Sequence, residues 1–172
     1  MNKLIIIALM FALILTSCSS NNTQPSTQDD SAFITSLPFE ELTQEEAETY
    51  NFILHEEYKS YELYNKIVIE FGEVSPFTKL KLSTQNNIDS LKILFQKYNV
   101  TFPENEWGLK ISAPLNLDVA CQLAKNKELE KSQTYNQMFN YVNNEDITYL
   151  LTVFRNKSKN ENLVLLEKCG TY

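Results

Sequence analysis

TQEEAETYNFILHEEYKSYELYNKIVIEF, residues Thr43 to Phe71, opens with Thr43 and Glu46 at capping-box spacing and continues without Pro or Gly as far as Gly72. Within it Tyr50, Ile53 or Leu54, Glu57, Tyr61, Tyr64, Val68 and Phe71 recur at about 3.5-residue intervals, the repeat of a helix that packs along another helix. The stretch therefore predicts a long amphipathic helix that cannot bury its apolar stripe alone.

Working outward, three further helical stretches supply partners. The second starts around Ser75-Pro76 and runs to Tyr98, with Phe77, Leu80, Thr84, Asn87, Leu91, Leu94 and Tyr98 on one face. Val100 to Pro114, with Pro103, Trp107 and Gly108, reads as a loop whose Trp is a hydrophobic plug. The third stretch begins at Asn116 and reaches about Val142, interrupted or not near Ser132, with Leu117, Cys121, Ala124, Glu128, Tyr135, Met138 and Val142 in line. The fourth runs from Asn144-Glu145-Asp146 to Lys168, with Ile147, Leu151, Phe154, Ser158, Glu161 and Leu165 facing inward. Four amphipathic helices of similar length predict an all-α, antiparallel four-helix bundle over residues 42–172.

Each stripe carries polar residues near its middle: Glu57, then Thr84 and Asn87, then Glu128, then Ser158 and Glu161. In antiparallel helices these positions converge on one layer. Carboxylates buried together need a cation, protons or a route to water. His55, the single His, stands two positions before Glu57 and points about 200° away round the helix, so it is not expected to join them.

The chain begins Met1-Asn2-Lys3, followed by an apolar run from Leu4 to Leu15, the length of a signal-peptide core and too short to span a bilayer. It ends in Leu15-Thr16-Ser17-Cys18, which resembles the lipobox of bacterial lipoproteins. The resemblance implies a signal peptide over 1–17, acylation of Cys18, and a lipid-anchored location in the bacterial cell envelope. Residues 18–41 then form a disordered, flexible tether, almost wholly polar from Ser19 to Asp30. Export would place Cys121 and Cys169 in an oxidising compartment, where they form either a disulfide or two buried thiols.

Composition narrows the function. With 15 basic and 22 acidic residues in 172, the net charge of -7 argues against a nucleic-acid partner. Three scattered Gly exclude a phosphate-cradling loop, and one His excludes most zinc sites. His-dependent triads lack a plausible geometry, and nothing around Glu56-Glu57 marks a sugar cleft. The Tyr50, Tyr58, Tyr61, Tyr64 series reads as packing, and Arg155, Lys157 and Lys159 as a solvated helix face. No catalytic residue is expected.

Thr43-Gln44-Glu45-Glu46, His55-Glu56-Glu57, Glu62-Leu63-Tyr64, Ser75-Pro76-Phe77, Lys97-Tyr98-Asn99-Val100, Asn144-Glu145-Asp146-Ile147, Ser158-Lys159-Asn160 and Gly170-Thr171-Tyr172 resemble, in order, a prokaryotic ferritin-like family of unknown function. The resemblance covers about Leu42 to Tyr172 and implies a ferritin-like bundle with a metal centre. Glu57 matches the family's first-helix ligand and Glu128 its third-helix ligand. Thr84 and Asn87 stand where the family has Glu and His, and Ser158-Lys159-Asn160-Glu161 where it has Ser-x-Asn-His, so Thr84, Asn87 and Ser158 mark a degenerate site and Glu161 replaces a His.

The expectation is a membrane-anchored lipoprotein whose ferritin-like domain has lost most di-iron ligands, a non-catalytic binding or envelope-interaction module with no cofactor. The alternative is a metal-binding protein, for metal sequestration or oxidative-stress handling, holding Fe, Mn or Ca through Glu57, Glu128 and Glu161. An oxygen-only ligand set suits Ca2+, Mg2+ or Mn2+ better than iron. The sequence names no protein partner and no oligomeric state.

Overall fold

The computed structural model describes residues 41–170, and among them there are helices and loops but no strand. The signal-peptide and tether expectations, Cys18 included, lie outside the described residues. Helix α1 is Gln44–Phe71, α2 is Phe77–Lys97, α3 is Leu117–Met138 and α4 is Glu145–Lys157. A π-helical turn, Ser158–Asn162, carries α4 into a last short helix, α5, Leu163–Glu167. The chain is an all-α bundle, and no described helix is long and apolar enough to cross a membrane.

Helix starts follow local chemistry. Thr43 and Glu46 form the capping box of α1, with each side chain accepting from the other's backbone N–H. Asn116 accepts from the Val119 N–H to cap α3, and Asn144 accepts from the Asp146 and Ile147 N–H groups to cap α4. Gly72, with φ 84, takes the positive-φ turn that ends α1. The third helix stops at Met138 rather than near Val142 and is continuous through Ser132; Asn140 and Tyr141 already sit in turns closed onto Gln137 and Met138.

Contacts between helix ends fix the chain directions. Glu46, at the start of α1, accepts from the Asn143 and Asn144 N–H groups at 3.0 and 2.8 Å. Tyr98, just beyond α2, donates to Asp146 and accepts from the Asn144 amide at the start of α4, and Lys97 pairs with Asp146. The beginning of α1, the end of α2 and the beginning of α4 thus share one end of the bundle. At the other end Cys121, early in α3, is bonded to Cys169 after α5, with their Cα atoms 5.6 Å apart. Helices α2 and α3 therefore run the same way and need a connection that returns along the bundle.

Asn99 to Asn116 is that connection. It lies over α1, where Pro103 accepts from Tyr58, Asn105 donates to Glu62, and Trp107 Nε1 donates to His55 Nδ1 at 3.3 Å. Trp107 is partly buried against the apolar cluster that includes Tyr50, Tyr58 and Phe95, and Lys59 and Lys110 approach its ring.

Two apolar clusters flank the middle of the bundle. One gathers Tyr50, Ile53, Leu54, Leu91, Phe95, Tyr135, Leu151 and Phe154, with Tyr50 and Phe95 stacked at 4.6 Å. The other joins Tyr64, Ile67, Phe77, Leu80, Ala120, Ala124 and Leu166 with the disulfide. Between them lies a polar layer.

Candidate functional site: a buried carboxylate–lysine layer

Three acidic or basic side chains from two helices sit in this layer with no exposure at all: Glu57 on α1, and Glu128 and Lys131 on α3. The Lys131 Nζ lies 3.1 and 3.2 Å from the two Glu57 carboxylate oxygens and 3.5 Å from Glu128 Oε1. Tyr135 donates to Glu57 Oε1 at 2.5 Å and Asn87 to Glu57 Oε2 at 3.1 Å. Tyr64 donates to Glu128 Oε1 at 2.6 Å and Asn162 to Glu128 Oε2 at 3.0 Å, with a further bond from Ser158. Lys157 reaches the far side of Asn87 at 3.1 Å.

Helical geometry delivers these groups. Ala124, Glu128, Lys131 and Tyr135 advance by four, three and four residues, so all four share the inner stripe of α3. Tyr64 stands two turns beyond Glu57 on the same stripe of α1. Asn162 arrives through the π turn, which adds a residue to one turn of the fourth rod. Phe154, Ser158, Asn162 and Leu166 are all buried, three steps of four residues that would drift about 40° each round a regular α-helix. The wider turn absorbs part of that drift.

The π turn also accounts for two differences from the sequence reading. Glu161 is exposed and does not meet Glu57 or Glu128; Asn162 holds the inward position. Likewise Leu166, not Leu165, enters the core. Of the residues replaced relative to the ferritin-like pattern, Asn87 and Ser158 reach the layer. Thr84 is buried but donates to the Leu80 carbonyl of its own helix at 2.9 Å.

Electrostatics favour the charged forms. Burial alone would raise the Glu128 carboxyl, yet the Lys131 ammonium and the bonds from Tyr64, Asn162 and Ser158 hold it below 4.5. Burial alone would lower Lys131, but Glu128 and Glu57 keep it above 10.5. Burial and the adjoining carboxylates push Tyr64 and Tyr135 well above 10.0, so both phenols stay neutral donors.

A pH dependence follows. A depressed carboxyl stabilises the fold fully above its unfolded value, and this stability is lost as pH falls through the lower folded value. A raised ammonium stabilises fully below its unfolded value, and that stability is lost as pH rises through the higher folded value. Urea midpoints should therefore be level from about pH 5 to pH 10 as far as this layer is concerned, falling below about pH 4.5 through Glu128 and above about pH 10.5 through Lys131. Glu56, held below 4.5 by Lys127 and Lys59 against its burial, adds to the acid limb. A midpoint in urea that does not change between pH 3 and pH 11 would contradict the arrangement.

The residues present do not fit the metal centre implied by the ferritin-like resemblance. The space between the two buried carboxylates is filled by the chain's own ammonium, Glu161 is outside, and among the described residues no three His, Cys, Asp or Glu side chains gather closely enough to hold an ion. His55 lies elsewhere, accepting from Trp107. A groove of about 570 Å3 on the surface of α3, α4 and the π turn is lined by Leu129, Gln133, Asn136, Arg155 and Lys159 among others, and none of the layer's residues lines it.

Lys131 is the residue that sequence reasoning passed over. The signal was present as a gap: the predicted α3 stripe steps directly from Glu128 to Tyr135, leaving an inward position unassigned. Comparison of the chain with family models, with curated proteins and with solved structures finds no match in any of the three.

Proposed function

We propose that the protein is a lipid-anchored component of the bacterial cell envelope, in which a ferritin-like bundle serves as a non-catalytic binding module and no longer as a metal centre. The observation that carries this reading is the Lys131 ammonium between Glu57 and Glu128. A redox or hydrolytic centre needs an open coordination position or a group free to accept a proton. Here both carboxylates are committed to an ammonium, two phenols and two amides.

The ferritin-like part is supported by chain direction. One long crossover joins α2 to α3, while each packed pair (α1 with α2, α1 with α3, α3 with α4) is antiparallel, the connectivity of ferritin-like bundles. The anchor rests on Leu15-Thr16-Ser17-Cys18, and the Cys121–Cys169 bond suits an exported chain.

The anchor is tested by growing bacteria that express the full chain with an alkyne-bearing fatty acid. The wild-type protein should take up the label and sediment with membranes; Cys18→Ser should lose the label and the membrane association. Equal labelling of both, or a soluble wild-type protein, would refute the anchor.

A further inference from the structure

We infer that the groove along α3, α4 and the π turn is a binding site for an acidic saccharide, a sugar chain that carries carboxylates. The inference rests on the reading of the bundle as a binding module and supplies the class of its ligand; it does not depend on the anchor.

Two helical stripes wall the groove. Leu129, Ser132, Gln133 and Asn136 follow one another along successive turns of α3. On the fourth rod Arg155 stands four residues before Lys159, and Asn156 four before Asn160. Lys159 and Asn160 belong to the π turn, an insertion that within α-helices is found mostly at functional sites.

Charge selects the sign of the ligand. The chain has 22 acidic and 15 basic residues, yet Arg155 and Lys159 line the groove and no acid does. Among the described residues neither cation is paired with a carboxylate. The Arg155 guanidinium is nonetheless held in place: it donates to Asn136 of α3 at 3.2 Å and to Asn156 at 3.4 Å, and lies 5.0 Å from the centre of the Phe139 ring. Those bonds leave further N–H groups of its fork to meet a carboxylate.

The neutral part of the wall selects the rest. The carboxamides of Gln133, Asn136, Asn156 and Asn160 each offer donors and an acceptor, and Ser132 adds a hydroxyl. That mixture complements the hydroxyl and acetamido groups of a sugar. Apolar lining is confined to Leu129 and Leu163, with no aromatic ring, so a lipid-like or flat aromatic ligand would leave the polar groups of the wall unpaired. The volume of about 570 Å3 lies within the range of about 300–1,000 Å3 usual for sites that hold small organic ligands.

The test is calorimetric titration of the mature full-length protein, in an uncharged detergent without a sugar headgroup, with hyaluronan tetrasaccharide, which alternates a uronic acid with an acetamido sugar. Wild type should bind it with a dissociation constant of about 1 mM or tighter, and the side-chain amide resonances of Gln133, Asn136, Asn156 and Asn160 should shift. The uncharged chitin tetrasaccharide, tetraglutamate and inorganic phosphate should each bind about tenfold more weakly or not at all. Arg155→Gln/Lys159→Gln should weaken binding of the hyaluronan probe by about tenfold to a hundredfold. Asn160→Asp, which keeps both cations but adds a charge of the ligand's own sign, should weaken it too. Arg155 is half-buried and Lys159 and Asn160 are exposed, so circular dichroism and urea midpoints of these variants should match wild type. A wild-type protein that does not bind the tetrasaccharide, equal binding by the double variant, shifts confined to other residues, or equal binding of tetraglutamate or phosphate would each overturn the inference. Label uptake at Cys18 is read separately, so failure of this site and failure of the anchored envelope reading are distinguishable.

Discussion

Replacing Glu57 by Ala is expected to destabilise the bundle by about 3–5 kcal/mol, the usual result of breaking a buried ion pair by removing one partner. Lys131 would keep a single carboxylate at 3.5 Å, and the Tyr135 hydroxyl and Asn87 amide would lose their acceptor in a region with no exposure. Glu57→Gln separates charge from hydrogen bonding. Its carbonyl can still accept from Tyr135 or Lys131, and Lys131 and Glu128 then form a neutral pair. It should cost markedly less than Glu57→Ala. Equilibrium urea unfolding of the three proteins at pH 7 measures both differences. Equal losses for Ala and Gln would show that the charge of Glu57 is irrelevant, and a loss below about 1 kcal/mol for Ala would show that the carboxylate is not buried as described.

Removing the disulfide should have an effect of similar size through a different state of the chain. Cys121 and Cys169 are separated by 48 positions and join the first turns of α3 to the end of the fourth rod. Closing a loop of that length restricts the unfolded chain by about 4 kcal/mol in the chain-entropy treatment. Cys121→Ala/Cys169→Ala should lower the urea midpoint accordingly. Dithiothreitol should lower the wild-type midpoint to nearly that of the double variant and leave the variant unchanged. A wild-type midpoint insensitive to reduction would contradict a bonded pair. Because the bond lies beside Ala120, Ala124 and Leu166 and away from Lys131, its removal should leave the polar layer intact, and the two losses should add.

The parts of the fold that were legible are those governed by local rules. Thr43 and Glu46 announce the start of α1, and Asn116 and Asn144 the starts of α3 and α4, because a capping side chain must stand next to the N–H groups it satisfies. The inward stripe of α2 is nearly as its spacing predicts, since Phe77, Leu80, Thr84, Asn87 and Leu91 are all buried. On α1 the stripe is rotated slightly toward Ile67, leaving Tyr61, Val68 and Phe71 half-buried.

The site was harder to read because two of its features break the general rules. Lysine is among the residues least often buried, so a Lys on an inward position reads as an exposed neighbour until its partners are known. Its partner Glu57 is distant in sequence, and only the antiparallel approach of α1 and α3 brings the two together. The π turn is equally silent, since a periodic stripe assumes 3.6 residues per turn and an added residue rotates everything after it. That single residue moves Glu161 out to solvent and brings in Asn162, an amide donor rather than a third carboxylate. A layer whose three expected carboxylates called for a cation, protons or a route to water has two of them and carries its own cation.

The most direct test of that cation is nitrogen-15 nuclear magnetic resonance of the Lys131 ammonium in the wild-type protein prepared with EDTA. A buried ammonium held by Glu57 and Glu128 should give a slowly exchanging Nζ–H signal at neutral pH, coupled by proximity to the Tyr64 and Tyr135 rings, absent from Lys131→Ala and unmoved by Mg2+ or Ca2+. If no protected ammonium is seen in the folded protein, or if it appears only when metal is withdrawn, Lys131 does not fill the centre of the bundle and the account fails.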